Sequence, residues 1–254
     1  MQQEHRSVTT SLDPQLTNLQ EALLRMFADM DAAFGRVQFE FQNSRECLIA
    51  LFLTRFHAIF TLNQDLLLER HYLNDNVSLL SAQGWDGAHI PGMRRIAAPD
   101  SAHGNPNLGR WEPVGNFSLE PRLQPFFKLH GSSNWVGPDT NDLLVLGGNK
   151  RSIIEKFPIL KWSHEQFSSY LSQPNTRLMV IGYSFADDAE TLDLFVIDPL
   201  GVDVIDKNRN AQIYSPDDLA QVLWPRVIGS SRRSLREIFG YDRAEHDKVM
   251  RFFA

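Results

Sequence analysis

Four short apolar runs that do not alternate constrain this chain more than any other feature. They are residues 58–61 (Ala-Ile-Phe-Thr), 126–129 (Phe-Phe-Lys-Leu), 177–181 (Arg-Leu-Met-Val-Ile) and 194–197 (Leu-Phe-Val-Ile). A strand wetted on one side alternates apolar with polar residues, whereas an unbroken apolar run is covered on both faces. The expected fold class is therefore α/β, a mainly parallel sheet with helices on both faces. A further strand at 143–146 stops at Gly147-Gly148.

Helical periodicity fills the spaces between these runs. Asp13-Pro14 is a helix start, and Leu16, Leu19, Leu23, Phe27, Met30 and Phe34 follow at spacings of three or four until Gly35. This predicts an amphipathic helix whose apolar face lies on the core. Val37, Phe39 and Phe41 alternate briefly, and Ser44 is placed to cap a second helix through Cys47, Ile49, Ala50 and Phe52. Asp65 is placed to cap another over 66–72. Residues 162–171 predict a helix ending before Pro174, Ser215-Pro216-Asp217-Asp218 opens one more, and 234–253 reads as helical with an interruption at Gly240. Phe239, Phe252 and Phe253 in that last stretch serve either as packing onto the core or as a contact surface.

Residues 81–125 have a different texture. Of the 28 Gly and Pro residues of the chain, 12 fall in these 45 positions, together with Trp85, Trp111 and Phe117, so packed helices are not expected there. That many aromatics marks an ordered, irregular insert within one domain spanning 1–254 rather than a linker. Trp85 and Trp111 either floor a ligand pocket or form the insert's own aromatic core.

At 254 residues and 43% hydrophobic, the chain is long enough to bury a sizeable core. Its formal charge of -6 gives no bulk electrostatic reason to bind nucleic acid or an anionic membrane. No apolar run reaches the ~18 residues of a membrane span. The polar N-terminus does not read as a secretory signal, so a cytoplasmic location is expected. Cys47 is the single cysteine, which rules out an intramolecular disulfide and a Cys-rich zinc site. His57, His71, His89, His103, His164 and His246 are scattered without ligand spacing, and no metal is expected. Arg232, Arg233 and Arg236 read as a solvated helix face.

Three of the apolar runs end in a polar cluster: Thr61-Leu62-Asn63-Gln64-Asp65, Leu129-His130-Gly131-Ser132 and Gly182-Tyr183-Ser184-Phe185. Open α/β sheets bind ligands outside the carboxyl ends of their strands. Taken singly, each cluster is also what a turn or a helix cap requires.

Taken together and in order, Ile59-Phe60-Thr61-Leu62-Asn63-Gln64-Asp65, Lys128-Leu129-His130-Gly131-Ser132 and Val180-Ile181-Gly182-Tyr183-Ser184-Phe185-Ala186-Asp187 resemble the three central motifs of the sirtuin-like proteins. Phe195-Val196-Ile197-Asp198-Pro199 is similar to the strand end that holds the adenosine ribose in that family. The Gly-Tyr-Ser-Phe variant is similar to the bacterial defence-associated branch. The resemblance implies a Rossmann-like fold that binds NAD as substrate and hydrolyses its nicotinamide-ribose bond, in an antiviral effector that depletes NAD. It implies Asn63, His130 and Asp65 as catalytic residues, with Asn63 on the nicotinamide ribose and the attacking water and His130 as general base. Thr61, Gly131, Gly182, Ser184 and Asp198 are implied to line the NAD site. It also implies a homo-oligomer, or a complex with a second defence protein such as an ATPase or an Argonaute-type subunit.

The chain departs from the family in two places. Gly35 is the only glycine before position 84, so the family's phosphate-cradling Gly-Ala-Gly loop is not legible. The connection from 181 to 194 has about a dozen residues, the lower limit for a crossover containing a helix. The alternative expectation is a catalytically degenerate nucleotide-binding or scaffold subunit. Protein deacylation ranks last, because the zinc ribbon of the deacylases is missing.

Overall fold

The structure is a computed structural model that describes residues 14–73, 77–81, 83–97, 106–137, 142–145, 150–182, 193–199 and 227–254. Ser184 and the helix expected after 215 lie outside these residues. Among the described residues the strands are β1 (Ile59–Thr61), β2 (Gly87–His89), β3 (Met93–Ala97), β4 (Arg110–Pro113), β5 (Leu123–Lys128), β6 (Gly131–Val136), β7 (Asp142–Leu144), β8 (Arg177–Ile181), β9 (Asp193–Ile197) and β10 (Val227–Ser231). The helices are α1 (Pro14–Phe34), α2 (Ile49–Leu53), α3 (Leu67–His71), α4 (Val77–Leu80), α5 (Lys150–Lys156), α6 (Pro158–Leu171), α7 (Leu235–Gly240) and α8 (Arg243–Met250).

The chain is α/β with parallel strands, but among the described residues the strands form three small sheets in place of the one expected from sequence. β1-β5-β2 and β10-β9-β8 are parallel throughout, and β3-β4-β6-β7 is mixed. The insert is not separate from this framework. Its β2 pairs in parallel with β5, and its β3 and β4 form half of the mixed sheet. Gly-Ala-His in β2 carries no β-branched or aromatic residue, so only its neighbours make it a strand.

β5 explains why its run does not alternate. Phe127 stacks on Phe60 at 4.7 Å, and both face α6, with Phe167 and Tyr170 against Phe60 and Trp162 against Phe127. Gln124 projects from the opposite face of β5, where its amide donates to the carbonyls of Leu53 and Phe56 at 2.9 and 2.7 Å. The Tyr72 hydroxyl donates to the Gln124 side-chain oxygen, and burial raises the Tyr72 phenol well above its usual range. A helix therefore packs on one side of β5, and the end of α2 with Tyr72 on the other.

β8 and β9 are parallel neighbours in full register, Arg177↔Asp193 through Ile181↔Ile197, as the short crossover allows. β8, however, is an edge strand with exposed ends rather than a buried one. β10 was not legible: Val-Ile-Gly-Ser-Ser has two apolar residues, and it pairs because Gly229 leaves room for the Phe195 ring, which a Cβ there would meet at 2.6 Å. Residues 37–41 form no strand, and the second helix is split into a 3₁₀ turn at Arg45–Cys47 followed by α2.

The expected core face of α1 is turned inward but only partly covered. Leu23, Phe27, Met30 and Phe34 are half-buried, Leu19 is 57% exposed, and no described side chain of this 21-residue helix is fully buried. The helix is held near its C-terminus, where Arg70 of α3 pairs with Asp31 at 2.5 Å and His71 Nε2 lies 2.8 Å from the Phe34 carbonyl. The C-terminal elements behave oppositely. Ile238 and Phe239 of α7, Val249 of α8 and Phe252 of the 3₁₀ turn Arg251–Phe253 that follows are buried, with Phe239 4.9 Å from Phe52 and Phe252 6.1 Å from Phe195.

Candidate functional site

The parallel register Thr61↔Lys128 sets the carboxyl ends of β1 and β5 side by side. Pairing continues one residue further, since the Leu129 amide donates to the Thr61 carbonyl at 2.9 Å. The Thr61-to-Asp65 loop and the His130 turn are then joined twice more. The Ser133 amide donates to the Gln64 carbonyl at 2.9 Å, and the Gln64 side-chain amide and the His130 carbonyl engage Val145 at 2.7 and 3.0 Å. Two of the sequence motifs are thus brought together by the backbone.

Within this pair of loops the expected site residues differ in environment. Asn63 is exposed, with its amide donating to Thr61 Oγ1 at 3.0 Å, so its carboxamide is presented to solvent by a short turn. The Asp65 carboxylate accepts the Leu67 amide at 3.0 Å, the local bond that starts α3. His130 is 9% exposed and lies between β5 and β6. Gly131 has φ +77° and passes so close to β7 that a Cβ would meet the Leu143 carbonyl oxygen at 1.9 Å; backbone packing alone demands glycine there.

Two functional candidates were not legible. His164 of α6 places its ring 6.4 Å from that of His130, and its Nε2 is 3.0 Å from the Leu129 carbonyl. A carbonyl only accepts, so Nε2 of His164 carries a proton. Helix position 164 lies 34 residues from His130 in sequence, and no spacing rule links them. The second is the ion pair of Lys128 with Glu69, 2.5 Å apart and each 1% exposed. The Lys128 ammonium also donates to the Asp65 carbonyl, which ties the end of β5 to the Asn63 loop and to α3. Burial pushes the Glu69 carboxyl above its usual range while the Lys128 charge opposes it. The Lys-Leu-His sequence contained half of this device; its partner Glu69 read only as a helix residue.

The other two motifs meet at the second parallel sheet. The Gly182 amide donates to the Ile197 carbonyl at 2.9 Å, and the Asp198 amide to the Ser231 carbonyl at 3.0 Å. Gly182 adopts φ +64° with open space around it, so backbone conformation and not crowding selects glycine. Thr61, Asn63, Asp65, His130 and Gly131 form one group and Gly182 with Asp198 another, in sheets that share no strand pair among the described residues.

Upstream of Asn63, Gly35 closes α1 with its amide on the Asp31 carbonyl at 3.1 Å. The first amides of α2, Ile49 and Ala50, donate to the Glu40 carboxylate at 2.6 and 2.9 Å. The side chain of Glu40 thereby occupies the donors of that helix start. A cavity of about 230 Å³, lined in part by His89, Asn107, Trp111 and Glu120, contains none of the motif residues. Burial lowers the His89 pKa, against the nearby Glu120 carboxylate. No group of three or more metal-ligating side chains occurs among the described residues, and no helix among them is long and apolar enough to cross a membrane.

Comparison with protein-family models, with curated proteins and with solved structures gave no match to this chain.

Proposed function

We propose that the chain is a sirtuin-like NAD hydrolase on a Rossmann-like framework, acting in the cytoplasm as an NAD-depleting effector of antiviral defence. The observation that carries this reading is the in-register pairing of β1 with β5, which sets an exposed Asn63 carboxamide and the His130 turn at adjacent strand ends. Cleavage of the nicotinamide-ribose bond needs oriented dipoles around an oxocarbenium-like centre and a base near neutral pKa. In the proposed reaction the C–N bond breaks, nicotinamide leaves with the electron pair, and water oxygen adds to the ribose carbon. Asn63 orients that water and the ribose, and the His130 imidazole accepts the proton. Asp65, committed to the start of α3, acts by shaping the Asn63 loop. Gly182, Ser184 and Asp198 are assigned to the adenosine half.

Incubation of the purified protein with NAD tests the reading, with nicotinamide and ADP-ribose resolved by chromatography. Asn63→Ala and His130→Ala are each expected to lower turnover by about 10²- to 10⁴-fold. Asn63→Ala should leave the melting temperature unchanged, because the residue is exposed. Absence of nicotinamide release from the wild-type protein, alone and with its partner, overturns the hydrolase.

A second reading, a nucleotide-binding or scaffold subunit without turnover, is favoured by the Glu40 carboxylate on the α2 amides and by the position of Gly35 at the end of α1. Calorimetric NAD binding without nicotinamide release identifies it.

A further inference from the structure

We propose that the cavity lined by β2, β3 and β4 binds a small, single-ring organic cation, apart from the Asn63 and His130 loops. The proposal does not depend on the reaction proposed above. The insert builds the cavity. Gly92, at φ +74°, turns the chain between β2 and β3 and brings Ile90 and Met93, both buried, to its wall. β4 supplies Trp111, and Leu73, just past α3, adds to the apolar side. The volume of about 230 Å³ is far above what a single water fills. Scaled from the ~150 Å³ that hold one benzene, it takes a ring with a short arm, about nine or ten non-hydrogen atoms.

The polar groups around the cavity define the ligand. The Asn107 side-chain amide donates to the Leu73 carbonyl, and the Trp111 indole N–H donates to the Asn107 carbonyl at 3.2 Å, so these donors are used within the chain. His89 and Glu120 are not joined in this way. His89 Nδ1 lies 3.8 Å from the Glu120 carboxylate, beyond hydrogen-bond length, and His89 Nε2 is buried with no hydrogen-bond partner among the described residues. Their side chains are 13% and 65% exposed, which sets the imidazole inside and the carboxylate at the mouth. Burial lowers the His89 pKa and so favours a neutral ring with one acceptor nitrogen. Glu120 is the single charged side chain of the described lining, and no Lys or Arg accompanies it. A carboxylate and an aromatic ring both attract a cation, and the carboxylate repels a phosphate, so the site selects an ammonium over a nucleotide. An ammonium group carries three donors and no acceptor, the complement of a carboxylate and an imidazole lone pair.

Methyl NMR of the whole chain labelled at methionine tests the proposal, with 2-phenylethylammonium as the probe and phenylacetate as its anionic counterpart. Of the 6 methionines, Met93 lines the cavity, and Met93→Leu assigns its signal. The Met93 methyl is expected to shift saturably with the ammonium, at a dissociation constant of about 1 mM or below, and not with phenylacetate. Glu120→Gln should raise that constant at least about fivefold. Its melting temperature should match the wild type, because the side chain is exposed. No Met93 shift up to about 10 mM, which would mean that the cavity holds water only, equal shifts with both probes, or an unchanged constant in Glu120→Gln each overturns the proposal.

Discussion

α1 and the α7–α8 pair are both helical, and the sequence gives α1 the clearer apolar stripe. Yet the stripe of α1 is only half-covered, while the shorter and more polar α7 and α8 fully bury Ile238, Phe239 and Val249. The difference lies in what each finds opposite. α7 meets the ring of Phe52 through Phe239, the 3₁₀ turn Arg251–Phe253 after α8 meets those of Phe56 and Phe195 through Phe252, and the two helices are fixed at their starts by the capping box of Ser234 with Glu237 and by the Asp242 cap. α1 meets its own protomer chiefly through polar bonds near its last turn. An amphipathic pattern therefore states that a helix needs a partner, and does not say which surface supplies it.

The comparison is broken most forcefully by truncating the C-terminal core. Phe239→Ala removes a ring that is 0% exposed and is expected to cost about 3–5 kcal/mol in urea unfolding. A loss under 1 kcal/mol would place α7 outside the core.

Intermediate effects are expected at the caps. Ser234→Ala removes the hydroxyl that accepts the Glu237 amide and donates to the Glu237 carboxylate, while the Ser234 backbone amide keeps its own bond to that carboxylate, at a cost of about 1 kcal/mol. Acid should act on the same end. The Glu237 carboxyl is held below its usual range chiefly by the Ser234 backbone amide, Glu245 by Lys248 and Ser231, and Glu46 by Arg243. A lowered folded pKa contributes stability that is present above the usual carboxylate range and is lost as pH falls through the folded value. Amide exchange in α7 and α8 should therefore accelerate, relative to β5, as pH falls below the usual carboxylate range. Equal acceleration across the chain contradicts this.

The smallest effect is expected in α1. Leu19→Ala should change stability by no more than about 0.5 kcal/mol, because the side chain is 57% exposed. A loss of about 2 kcal/mol or more would mean that Leu19 is packed against the rest of the chain.

The features legible along the chain are local in kind. Non-alternating runs marked β1, β5, β8 and β9 as strands, although burial follows from the run in β5 and β9 and not in β8, whose ends are exposed. Pro14, Ser234 and Gly35 marked helix ends, because caps are satisfied within a few residues. The ordering of the motifs at strand ends was legible, whereas the register of β8 with β9 came from the structure.

Only the tertiary structure decided how these pieces met. β2 and β10 became strands because β5 and β9 offered edges, with Gly229 making room for Phe195. Gly131 was read as lining a ligand, and is required by the carbonyl of Leu143 twelve residues later. His164 and Glu69 reached the site from helices whose own periodicity accounts for them fully. The partial cover of α1 belongs to the same class, since burial is a property of two surfaces and the sequence of one helix describes only one of them.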